Sequence, residues 1–183
     1  AAGASILHTG PGRARQLRAG AGIARGDWLL FLHADSRLGP DAVAALLQAM
    51  DRPPPFTAAV FRFAIDLSPG WKRFLEWGQA LRQALFGLPY GDQGLLIRRE
   101  VYAAVGGYPD LPIMEDVALV RRLRRHHAIH RLPAALLTSG RRYRQHGVLR
   151  TWLEHAALIF LYSVGVPAAQ LAAWRHGPAT AAD

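Results

Sequence analysis

Three segments of this chain carry side chains suited to a charged, hydroxyl-rich ligand. The first, Trp28-Leu29-Leu30-Phe31-Leu32-His33-Ala34-Asp35, is an apolar run that ends in an acid. A strand of this kind delivers its carboxylate to the mouth of an α/β sheet, where ligands bind. The second, Glu115-Asp116, follows a Pro-containing loop and opens an amphipathic stretch. One carboxylate at a strand end and a second pair elsewhere is the minimum for a metal ligand beside a general base. The third, Tyr90-Gly91-Asp92-Gln93-Gly94, sets an acid and an amide between glycines, where backbone can approach a sugar closely.

Each has a plainer reading. Asp35 or the adjacent Ser36 could be a cap, and Asp92 an ordinary turn residue. Acids in a first helical turn complement the macrodipole whatever else they do. As a hard oxygen donor, Asp35 could instead bridge Mg²⁺ or Mn²⁺ to a diphosphate. His33, two residues earlier on the same strand face, could contact metal, ribose or phosphate, or be a satisfied core imidazole. Arg141-Arg142-Tyr143-Arg144, followed by Gln145 and His146, reads as a Gly-flanked loop whose guanidinium groups can fork onto phosphate oxygens. Arg121, Arg122, Arg124 and Arg125 read as the solvated face of a helix.

The elements that must hold these groups follow from periodicity. A strand is expected over 5–8, a turn at 9–12 and a helix over 13–24. Trp28 to Leu32 reads as a buried strand, Asp41 to Met50 as a helix opened by Pro40, and Thr57 to Asp66 as an alternating strand. A helix over 71–86, a loop over 87–94, a strand at 95–97 and a short helix stopped by Gly106-Gly107 come next. A helix over 114–125, strands at 128–132 and 135–137, and helices over 149–164 and 167–174 complete the pattern. Alternation of strands and helices predicts an α/β fold with a mainly parallel sheet and the strands' carboxyl ends on one rim. Residues 1–147 are expected to form the core and 148–183 a pair of helices packed on it or lying at a membrane surface.

The chain has 183 residues, 51% hydrophobic and 19% charged, enough for one domain with a core. A net charge of +9 favours an anionic ligand such as a nucleotide diphosphate, a nucleic acid or an anionic membrane face. With no cysteine, disulfides and thiolate zinc sites are excluded and the cytoplasm is the expected compartment. The apolar run over 156–166 is too short to span a bilayer but could lie in its interface; an ordinary core helix is the alternative. The opening residues read as joining an α/β pattern already under way, so an amino-terminal portion of the domain is expected to be missing.

Taken in order, Phe31-Leu32-His33-Ala34-Asp35-Ser36, Gly91-Asp92-Gln93-Gly94, Gly106-Gly107-Tyr108, Met114-Glu115-Asp116 with Leu119, and Arg141-Arg142-Tyr143 resemble family 2 glycosyltransferases of the GT-A fold. The resemblance is strongest to a small bacterial branch with a His-Ala-Asp strand end. It implies a Rossmann-like three-layer sandwich and an inverting transfer from a nucleotide-diphospho-sugar, commonly a UDP-sugar, to an acceptor hydroxyl. Asp35 would hold the metal, with His146 as a second candidate ligand. Asp116 would be the general base, supported by Glu115. His33, Asp92, Gln93, Arg13, Arg141 and Arg142 would contact donor or acceptor. His33 stands where many relatives carry the first acid of an Asp-x-Asp pair. A nucleotidyltransferase and a basic nucleic-acid-binding module are the competing readings. The latter explains the charge but not the placed acids, and the chain lacks a basic stretch interleaved with stacking aromatics, so no nucleic-acid partner is expected.

Overall fold

The computed structural model describes residues 3–53, 55–86 and 93–177, with backbone alone over 80–86. Its elements run α1 (Arg13–Ile23), β1 (Trp28–Phe31), β2 (Ser36–Arg37), α2 (Pro40–Met50), β3 (Ala58–Asp66), α3 (Pro69–Phe86), β4 (Leu95–Arg98), α4 (Arg99–Ala104), α5 (Glu115–Leu123), β5 (Ile129–Ser139), α6 (Arg141–His146), α7 (Val148–Ser163) and α8 (Ala168–His176).

The strands form one sheet in the order β1-β4-β3-β5-β2. Period-2 alternation sends neighbouring side chains to opposite faces, and here both faces are covered. Ala58, Val60, Leu95 and Ile97 face the side occupied by α1, α4 and α5, where they pack with Val101, Leu119, Leu123 and Leu17. Ala59, Phe61, Leu96 and Leu136 face Ala42, Ala45 and Ala49 of α2. The result is the expected three-layer α/β sandwich. The small alanines of α2 let that helix lie close to the sheet.

Three expectations about the strands need correction. The sheet is mixed rather than mainly parallel: β3 and β5 pair in parallel, whereas β1–β4, β3–β4 and β2–β5 are antiparallel. Counting helices between strands predicts crossovers but not the direction in which a strand inserts, and β4 enters antiparallel between β1 and β3. Because β4 opposes both neighbours, β1, β3 and β5 still run the same way, and their carboxyl ends share one rim. Residues 5–8 form no strand; they are exposed and pair with no other strand among the described residues. The two short strands at 128–132 and 135–137 are one strand. Along β5 three residues lie between the partners of Val60 and Arg62, where β3 has one, giving a bulge around Pro133. Proline cannot donate to the ladder; Arg62 Nε instead donates to its carbonyl at 2.9 Å.

At the rim, Ser139 pairs in register with Asp66, and its amide donates to the Asp35 carbonyl at 3.2 Å. The segment after Gly140 is not a loop but the short helix α6, closed by the Arg144 amide donating to the Gly140 carbonyl at 3.0 Å. Gly140 is required here for space. A β-carbon would lie 2.2 Å from the Asp66 carbonyl oxygen and 2.6 Å from Leu67 Cδ2. Backbone cannot yield as a flexible side-chain end can. Gly140→Ala is therefore expected to cost about 1–3 kcal/mol of stability, as overpacking does, and to lower the thermal midpoint. An unchanged midpoint would show that β3 and α6 are free to separate.

The carboxy-terminal helices are anchored beneath the loop before α5. Ile113, Leu158, Ala168 and Leu171 form one buried cluster, with Leu111, Met114 and Tyr162 against it.

Candidate active site

A cavity of about 890 Å³ opens at the carboxyl rim of β1, β3 and β5. His33 and Asp35 from the end of β1, Asp66 from β3, Thr138 and Ser139 from β5, and Arg13 and Arg141 from the starts of α1 and α6 all lie on its wall. Sequence placed four of these at the site: Arg13, His33, Asp35 and Arg141. It did not single out Asp66, Thr138 or Ser139. The signal was present for Asp66, because β3 is a second apolar strand ending in an acid. Asp66 is held by Arg144, whose Nη1 donates to its carbonyl at 2.6 Å and lies 3.5 Å from its Oδ2.

Arg13 is the hinge of the electrostatics. Its Nη2 contacts His33 Nε2, and its Nη1 lies 3.1 Å from Glu115 Oε1. Arginine can only donate, so Nε2 is the acceptor nitrogen and the ring is neutral with its proton on Nδ1. Burial and the Arg13 charge both hold the His33 pKa below its ordinary value, against the opposing pull of Asp35 and Asp116. Glu115 is only 3% exposed. Its approach to Arg13 is close enough for an ion pair but lacks the directional geometry of a hydrogen bond, and Oε1 has no hydrogen-bond donor. Burial, then the neighbouring Asp116 charge, raise the Glu115 pKa; Arg13 offsets part of this.

Glu115 sits behind Arg13, one side chain away from the cavity. Its position is set by Met114, whose φ of 65° makes it the one non-glycine residue in the left-handed region among the described residues. That conformation costs roughly 1 kcal/mol or more and is held by packing of Met114 between two apolar clusters. It turns the chain sharply, so that Glu115 points inward to Arg13 while Asp116 is left partly accessible. Asp116 Oδ1 accepts the Val117 amide at 2.8 Å, fixing the carboxylate against the start of α5. Below lies an aromatic floor: Tyr108 stacks edge-on to Phe31 at 5.0 Å, and its amide donates to the Tyr102 hydroxyl at 3.2 Å. Burial and the Asp116 charge push the Tyr108 hydroxyl pKa up, so the ring stays neutral. Gly107, at φ 62° with the Tyr102 ring 2.9 Å from where a β-carbon would stand, makes that stacking fit.

The other sequence candidates fall elsewhere. Gln93 is 1% exposed and not on the cavity wall. Asp92 lies outside the described residues. Arg142 is exposed on α6, and its charge is felt by Glu154 and Arg175 rather than at the cavity. His146 is exposed at the last residue of α6, about 7.5 Å along the helix from Arg141. Among the described residues no group of three or more His, Asp or Glu could hold a metal ion. A protein-only cage is therefore not what these residues offer. The donor set that is present, an exposed carboxylate at Asp35 and a second at Asp66 held by Arg144, matches a hard divalent ion that takes its other ligands from phosphate and water.

The family model for Glycosyl transferase family 2 matches residues 5–103. This span covers more than half of the chain, and the chain belongs to that family. Membership carries the GT-A fold, glycosyl transfer as the general chemistry, and a nucleotide-sugar donor with an acceptor. Divalent metal is common among these enzymes. A comparison with curated proteins finds no match. His33, Asp35 and Gln93 lie within the matched span; Glu115, Asp116 and Arg141 lie beyond it.

Proposed function

We propose that this chain binds a nucleotide-diphospho-sugar, with UDP as the nucleotide, in the rim cavity and transfers the sugar with inversion to an acceptor hydroxyl. The observation that carries this reading is the wall itself: the strand-end carboxylates Asp35 and Asp66 share it with Arg13 and Arg141, and Glu115, the neighbour of Asp116, lies against Arg13. Arg13 and Arg141 present guanidinium groups to the diphosphate and stabilise the charge that grows on it as the glycosidic bond breaks. His33, kept neutral, accepts from Arg13 and so aims that guanidinium at the cavity. A Mg²⁺ or Mn²⁺ ion held by Asp35 and the donor phosphates would neutralise further leaving-group charge. Asp116, the more accessible acid, takes the proton of the acceptor hydroxyl. Glu115 holds Arg13 and does not exchange protons with substrate. Asp92 is assigned to the sugar pocket, Arg142 to the approach of the anionic donor. His146 is kept only as a reserve metal ligand.

The test is thermal stability with UDP and Mn²⁺ for the wild type and Asp35→Ala. Ligand that binds only the folded state raises the midpoint by mass action, by about 2.7 kcal/mol at a hundredfold excess over Kd. The expected result is an upward shift that needs metal and disappears in Asp35→Ala. A shift of equal size in the variant would remove Asp35 from the donor site.

A further inference from the structure

Helix α7 buries one face and leaves another bare. Leu149, Leu153 and Phe160, with Val164 at the helix's C-cap, are 52–64% exposed. At 100° per residue they fall within about 60° of arc and extend for about 22 Å. Single exposed apolar residues are ordinary, but an aligned stripe of this length is not. The inner face is already used: Trp152 packs on Phe74 at 5.5 Å and against Gly78 of α3, and Leu158 is buried. Trp71, itself exposed, stacks on Phe74 at 6.0 Å and extends the apolar surface onto α3. Two more tryptophans, Trp77 on α3 and Trp174 on α8, are 65% and 62% exposed.

The flanks of the stripe are basic. On one side is Arg150, with the exposed Arg142 close enough for its charge to act on Glu154. Glu154, the one acid of α7, is neutralised by Arg150 at 3.0 Å. On the other side Arg121 of α5 donates to Ser163 Oγ at 2.6 Å and lies over the Tyr162 ring. No helix among the described residues is long and apolar enough to cross a membrane. An apolar stripe with arginines on both flanks and the exposed Trp71 joined to it through Phe74 and Trp152 is the pattern of a helix lying in a bilayer interface. The molecule's +9 charge adds attraction to anionic headgroups.

We infer that the outer face of α7, with Leu149, Leu153, Phe160 and Val164 inserted and Arg121 and Arg150 at the headgroups, docks this protein on an anionic phospholipid surface. Docking there does not depend on what the rim cavity binds.

The experiment is co-sedimentation with phosphatidylcholine vesicles with and without about one-third phosphatidylglycerol. The wild type is expected to partition at least roughly tenfold better onto the anionic vesicles, and to release as salt approaches about 0.5 M. Leu153→Glu/Phe160→Glu is expected to lose roughly tenfold or more of that partition, since it places charge on the inserted face. Leu153→Ser serves if the double variant does not fold, with a smaller loss. Tryptophan quenching by lipids brominated in their acyl chains reads insertion in the wild type alone and needs no variant. Absence of partition or quenching overturns the inference, as does equal partition of wild type and variants. A wild type that ignores vesicles but forms a dimer lost in the double variant would assign the face to a second copy.

Discussion

Asp116→Asn is expected to lower the turnover number for sugar transfer by about 10²–10⁴, the usual contribution of a positioned general base, while nucleotide affinity changes less than about twofold. The two side chains are isosteric. The Asn carbonyl can still accept the Val117 amide that now meets Asp116 Oδ1 at 2.8 Å, so the start of α5 is kept. What disappears is a group able to take a proton. Glu115 cannot stand in, because it is buried and turned to Arg13, whereas Asp116 is partly accessible. Steady-state kinetics together with nucleotide titration separate the two effects. Turnover at the wild-type level would remove Asp116 from the role, and a loss of nucleotide affinity as large as the loss of turnover would make it a binding residue instead.

Glu115→Gln is expected to leave the fold at least as stable near pH 8, gaining about 1 kcal/mol where burial dominates. For a chain of this size that is a rise of about 2–4 °C. Burial and Asp116 raise the Glu115 pKa above its ordinary 4.5. The folded state therefore binds this proton more tightly than the unfolded chain, and stability declines as pH rises through and above 4.5. Removing one member of a buried ion pair is ordinarily costly because the other charge is stranded. Here the Arg13 side chain is 41% exposed and can be rehydrated. The advantage of Gln over Glu should shrink toward pH 4, where the wild-type carboxyl is itself neutral. Thermal unfolding at pH 4 and pH 8 checks the sign. A variant less stable than wild type at pH 8 would mean that attraction to Arg13 outweighs desolvation. Such a gain fits a residue kept for holding Arg13 rather than for stability.

Much of this molecule was legible from local pattern. The Trp28–Phe31 strand, the Pro40 helix start, the Ala58–Asp66 strand and the Gly106-Gly107 stop follow from burial period and backbone chemistry, which act within a few residues. Strand direction was not, because β4 is placed by contacts with β1 and β3 that no local window contains. Nor was the continuity of β5, since Pro133 looks like a break unless the bulge and the Arg62 side chain that accommodate it are known. At the site, Asp35, His33 and Arg141 were found because strand ends and Gly-flanked arginines have a spacing signature. Arg13 as partner of both His33 and Glu115 had none: the latter pairing joins residues more than 100 positions apart. The exposed face of α7 was equally hidden, because periodicity identifies an apolar helix but not which side its neighbours leave uncovered.

The wall of the rim cavity is drawn from residues 13–17, 32–37, 66 and 137–141. During synthesis the Asp35 end of the wall therefore waits for more than 100 further residues before Arg141 is made, an interval of roughly 5–20 s at ordinary elongation rates. For most of that interval β3 lacks its parallel partner β5, and Arg13 lacks Glu115 until well over half of it has passed. A nascent chain interrupted before β5 has the carboxylates of β1 and β3 but no closed cleft. The closed cavity thus arrives in one late step, when β5 docks and Gly140 closes against Asp66.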